Sequence, residues 1–219
     1  MSAGLFSFVF GRVAQLPSGG HSYFLFSYTA LLAWNLFSQS LASASASLTS
    51  SSALITKIYF PRLVIPISTL GSVIVNMLIT FGVTLVLLVA TSTAFTSQIL
   101  LLPLWLLLAL TLALGLGLAL ASFSVLYRDV NYVTTLLVQF LLYLSPVGYS
   151  IEVVPAGLRT LYLLNPVATI VEGCRWSLLG TDYLPPAWAI VYTCAASVCA
   201  VVVGTAVFAR REPTFADVV

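Results

Sequence analysis

Eight basic and six acidic side chains carry nearly all the charge in this 219-residue chain, and they stand in a few tight groups. Three groups have residue types and spacing that can serve a function. Lys57 and Arg62 bracket Tyr59, Phe60 and Pro61 inside LITKIYFPRLVIP, residues 54 to 66. Two cations with rings between them and a helix breaker beside them suit a short element where bilayer meets water, the charged heads in water and the rings at headgroup level. The same residues also suit an ordinary charged loop that anchors two helices. Arg128 and Asp129 are neighbours in VLYRDVNYV, 125 to 133. Glu172 and Arg175, with Trp176 beside them, are three apart on one helical face, as either an ion pair or a gate contact.

No set for bond-making chemistry accompanies them. The chain has no G-x-x-x-x-G-K-[ST] loop to cradle phosphates, no HExxH and no Cys/His cluster. Cys174, Cys194 and Cys199 lack metal-ligand spacing and read as small apolar residues. His21 is a lone loop histidine, and a net charge of +2 is too small to argue for nucleic acid. A lipid-processing enzyme would have only Arg128-Asp129 and Glu172-Arg175 to work with. Ion-driven transporters bury an ionisable group or a broken helix near the bilayer midplane, and these apolar runs hold no charge there. Energy for transport must come from a partner, or the protein is a passive pore or scaffold.

The elements that position these groups are apolar. The chain is 60% hydrophobic and 6% charged, which marks an integral membrane protein of all-α class. Ser2 to Phe10 is about half of the ~20 residues a crossing needs and reads as a partial first span, and 11 to 23 is a Gly/Pro/Ser loop. Phe24 to about Ala46 is the first complete span, with small residues that permit close packing. Between Arg62 and Arg128 no residue is charged; the hydroxyl-rich TSTAFTSQ, 91 to 98, splits that run into spans of about 63–90 and 99–124. Asn131 to Ser150 makes a fourth crossing and Pro186 to Ala209 a fifth. Between them, 153–164 and 167–179 flank Asn165-Pro166, each too short to span, as surface helices or a re-entrant pair. Five of the eight basic residues (Lys57, Arg62, Arg128, Arg210 and Arg211) then share one face, so that face and the C-terminus are expected in the cytoplasm.

The 54–66 stretch, VLYRDVNYV and NPVATIVEGCRWSLLG, 165 to 180, occur in an order that resembles the permease subunits of type-2 ATP-binding-cassette exporters. The closest likeness is to those exporting O-antigen, capsule or teichoic-acid polysaccharides, and it runs from about Phe6 to Arg211. The resemblance implies a single transmembrane domain over 1–219 that works as a homodimer with a separate ATP-binding subunit; ATP and Mg belong to that partner. It implies a cytoplasmic coupling element at 54–66, with Lys57, Tyr59, Phe60, Pro61 and Arg62 meeting the ATPase. It also implies a cytoplasmic gate at Arg128 and Asp129. An extracytoplasmic gate pair falls at 151–185, with Glu172, Arg175 and Trp176. The family has an amphipathic helix and a whole first span where this chain begins, so the start is either truncated or mis-assigned, or the chain lacks those parts. A lipid-linked glycan is the expected substrate; a drug or another lipid is the alternative. Trp34 with Phe37, and Phe140 with Tyr143, each three apart, are the candidate ring-lined path, since sugar C–H faces stack on aromatic rings.

Overall fold

Hydroxyls embedded in apolar runs decide how this chain stays helical in lipid. The computed structural model describes residues 22–51, 61–91, 96–127 and 129–215, and no strand occurs among them. In the first helix, α1 (Tyr23–Ser50), Thr29, Ser47 and Thr49 donate to the carbonyls of Phe26, Ala44 and Ala46 at 3.0, 2.7 and 2.9 Å. These three hydroxyls are satisfied inside their own helix, and α1 runs past the expected end near Ala46 to Ser50.

The remaining elements follow in order. They are α2 (Val64–Ala90), a 3₁₀ turn (Ser97–Leu101) leading into α3 (Leu102–Ser124), and α4 (Val130–Tyr143). A 3₁₀ turn (Ile151–Val153), α5 (Ala156–Leu163), α6 (Pro166–Leu179), α7 (Ala187–Arg211) and a final 3₁₀ turn (Glu212–Thr214) complete the chain. The break between α2 and α3 falls at the hydroxyl-rich stretch. Asn165 and Pro166 start α6 as N-cap and first helical residue, with the Asn165 Oδ1 accepting from the Val167 amide at 3.0 Å. Gly180 ends it at φ 64°, the left-handed cap position that suits glycine.

Three described helical stretches are long and apolar enough to cross a bilayer: Val64–Ala90, Ser97–Ser124 and Ala187–Arg211. This differs from the five complete spans expected, at two places. α1 is 28 residues long but diluted by serines, Asn35 and Gln39; it is the hub helix, packed on α2, α3, α4 and α6, so much of its surface meets protein. α4 has 14 residues in place of the expected Asn131–Ser150. At 1.5 Å per residue it is about 21 Å long, short of a ~30 Å hydrocarbon core. It stops because Pro146 disfavours helical backbone at Ser145, and the chain proceeds through turns to Ser150. The expected partial span and loop before Ser22 lie outside the described residues.

The main core forms where α1, α3 and α6 meet, with Val73 and Leu88 of α2, and α7 packs against its outside. α3 crosses α7 at Gly115 and Gly204, whose backbones approach so closely that neither position has room for a Cβ. Gly173 lies against the Trp105 ring in the same way, seating α6 on α3. A second apolar cluster, with Leu48, Ile65, Leu118, Val125, Phe208 and Phe215, ties together the end of α1, the start of α2 and the ends of α3 and α7. Arg62, the start of α4 and the C-terminal turn therefore lie at one end of the bundle. Glu172 and Arg175 lie towards the other.

Candidate gate and coupling sites

Glu172 and Arg175 sit one turn apart on α6, and both are only 1% exposed. Their ion pair is 2.8 Å long. The same Glu172 oxygen accepts the Ile151 amide at 3.1 Å. The Arg175 guanidinium donates to the carbonyls of Pro146 and Val147 at 2.8 and 3.3 Å and lies 3.8 Å from the centre of the Phe26 ring on α1. The pair thus fastens the turns after α4 and the start of the Ile151–Val153 turn to α6 and α1. Neutral donors reinforce the join. Asn165 donates to Ser145 Oγ at 3.0 Å, Tyr149 and Tyr162 both donate to the Tyr143 carbonyl at 3.1 Å, and the Tyr23 hydroxyl donates to the Gly148 carbonyl. The ion-pair reading of Glu172 and Arg175 is the one the geometry displays; Trp176 beside them is half-buried.

At the opposite end the described residues are tied through the C-terminal turn. Pro61 is exposed and Arg62 half-buried. The Arg62 amide meets Glu212 Oε1 at 3.4 Å, and its guanidinium donates to the Glu212 carbonyl. Beside this tie, Arg211 lies 4.0 Å from the centre of the Phe123 ring, and Phe215 is fully buried edge-on to Phe208. Asp129 is exposed just ahead of α4. Lys57, Tyr59, Phe60 and Arg128 fall outside the described residues.

The two aromatic pairs are not brought together. Trp34 and Phe37 stack obliquely with ring centres 5.9 Å apart, buried in the core of α1. Phe140 and Tyr143 stand 69% and 76% exposed on α4. Glu212 has no site role in the sequence beyond its place in the expected cytoplasmic tail, although its charge, next to Arg210-Arg211, marks the end of the last apolar run. Asn165 was read only as a break, although Asn before Pro ahead of an apolar run is a helix-start signal.

Several apolar helices that turn back on one another, with charge gathered at their ends, define a multi-pass membrane protein. The chain belongs to the ABC-2 type transporter family, whose domain matches residues 1–179. It is similar to the "O-antigen export system permease protein RfbA" of Myxococcus xanthus, 27% identical over 194 residues that cover 88% of this chain and 74% of that protein. A protein of the same name from Klebsiella pneumoniae is 24% identical over 215 residues, covering 98% of this chain and 82% of that one.

Proposed function

We propose that the chain is the membrane-spanning subunit of an ATP-driven exporter that moves a lipid-linked polysaccharide, of O-antigen, capsule or teichoic-acid type, across the plasma membrane. The observation that carries this reading is the similarity to O-antigen permeases along nearly the whole chain. The chain itself carries out no bond chemistry; ATP and Mg act on a separate ATP-binding-cassette subunit. Two copies of the chain enclose the path, as the resemblance to type-2 exporters implies.

In this reading α1, α2, α3, α4 with its following turns, and α7 make the five crossings, and α5 with α6 dips into the outer side as a re-entrant pair. The end holding Arg62 and Glu212 faces the cytoplasm with the C-terminus, supported by the gathering of basic residues there. Residues 54–66 dock the ATPase through Lys57, Tyr59, Phe60, Pro61 and Arg62. Arg128 and Asp129 guard the inner mouth, and Glu172, Arg175 and Trp176 the outer one. Trp34, Phe37, Phe140 and Tyr143 come into the path only if α1 and α4 shift against each other during transport.

Complementation tests the reading. In a host deleted for its own O-antigen permease, the chain with its ATPase should restore surface polysaccharide. Restored drug resistance or lipid export without polysaccharide would instead identify a type-2 permease for those substrates.

A further inference from the structure

α7 does not simply run out into water. After Arg211 the chain turns through Glu212–Thr214, with Pro213 exposed, and brings Phe215 back into the bundle. There the Phe215 ring is fully buried and meets Phe208 edge-on, with ring centres 5.3 Å apart. The pocket that receives it is built from four helix ends, with Leu48 of α1, Ile65 of α2, Ala121 of α3 and Phe208 of α7 in one buried cluster. Two contacts join this turn to the start of α2 in the same register. Arg62 meets Glu212 through its amide at 3.4 Å and through its guanidinium, which donates to the Glu212 carbonyl. Three residues further along each segment, Ile65 and Phe215 share the buried cluster, and Leu63 packs against its edge. Arg211 adds a hold on α3, 4.0 Å from the centre of the Phe123 ring.

By chain connection alone, residues 54–66 pull only on α2. That helix turns much of its surface outward, with Val75, Leu78, Ile79, Val86 and Val89 all more than half exposed, so a pull on its start would tilt it by itself. The C-terminal turn adds a second path, from Arg62 through Glu212 to the end of α7, and α7 is seated on α3 at Gly115 and Gly204. A half-buried polar tie alone yields easily, because water can replace either partner. A ring enclosed by four helix ends does not leave without opening a cavity of its own size. The polar contact sets the register, and the ring holds it.

We propose that the C-terminal turn is a second mount for the coupling stretch. Phe215 is the positioning residue: it keeps Glu212 within reach of Arg62, so that movement of residues 54–66 by the ATPase carries α7 and α3 along with α2. The inference rests on the assignment of 54–66 as the docking stretch and deepens it with a segment 150 residues away.

Two measurements on the full chain assembled with its ATPase test this. Phe215→Ala empties the pocket and should lower the polysaccharide exported per ATP hydrolysed about fivefold while hydrolysis continues. Phe215→Leu refills the pocket and should restore most of that ratio. A role confined to folding would lower the amount of complex and leave the ratio of the remainder unchanged, so an unchanged ratio overturns the proposal. The second measurement leaves Phe215 in place. With Cys174, Cys194 and Cys199 replaced by alanine, Val125→Cys in the pocket and Pro213→Cys on the exposed turn are reacted with N-ethylmaleimide, with and without a non-hydrolysable ATP analogue. Val125→Cys is expected to react about tenfold more slowly than Pro213→Cys in both states, since the mount moves as a unit. Equal rates with the analogue bound would mean that the ring leaves its pocket when the ATPase engages, which overturns the proposal. Normal export per ATP from Tyr59→Ala/Phe60→Ala would overturn the docking assignment and the mount with it. Lowered export from that variant beside an unchanged ratio in Phe215→Ala would overturn the mount alone.

Discussion

The two ends of this bundle are closed by different means. Towards one end, a fully buried ion pair on α6 collects an amide, two carbonyls and an aromatic ring from α1 and the turns after α4. At the other, among the described residues, an apolar cluster around Phe208 and Phe215 does the packing, and the polar tie is a half-buried arginine that reaches one residue of the C-terminal turn. Buried charges held by several partners have one good arrangement, and breaking it exposes an uncompensated charge. A tie left half open to water is worth little more than about 1 kcal/mol after solvent screening and exchanges more easily with water or a new partner. The first arrangement suits a seal that stays shut at rest. The second suits a surface that a partner engages and moves.

Breaking the buried pair should have the largest effect. Glu172→Ala or Arg175→Ala leaves one charge buried alone and is expected to cost about 3–5 kcal/mol, read as a large fall in thermal unfolding temperature of the purified protein. Unchanged stability would mean that this end is open to water. Gly204→Ala comes next, because its methyl group would meet the Gly115 backbone and force α3 from α7. About 1–3 kcal/mol is expected from overpacking, and the same scan would detect it. Asn165→Ala removes the cap of α6 and a bond to Ser145; about 1 kcal/mol is expected, with faster amide exchange confined to the first turn of α6. Arg62→Glu should cost least, at most about 1 kcal/mol, yet lower the polysaccharide exported per ATP hydrolysed by the assembled complex. An Arg62→Glu complex with the original export ratio would remove Arg62 from the coupling assignment.

The sequence made some of this legible because charge and proline are scarce in it. With no charge between Arg62 and Arg128, the extents of α2 and α3 could be read from the hydroxyl break alone, and Asn165-Pro166 marked the division of α5 from α6. The spacing of Glu172 and Arg175 alone places them on one helical face. What could not be read was which face of an all-round apolar helix meets protein. Trp34 with Phe37 and Phe140 with Tyr143 have the same spacing, yet the first pair is buried and the second exposed. The tie from Arg62 to Glu212 spans 150 residues of chain, and no local pattern announces it.

Orientation of the two ends is the claim on which the rest depends, and thiol labelling in intact cells tests it most directly. Glu152 and Pro213 are both exposed, one near each end. In the background with the three native cysteines replaced, Glu152→Cys should react with a membrane-impermeant maleimide from outside, and Pro213→Cys only after the cells are permeabilised. Labelling of Pro213→Cys in intact cells, with Glu152→Cys protected until permeabilisation, would put the buried pair at the cytoplasmic end and contradict the account.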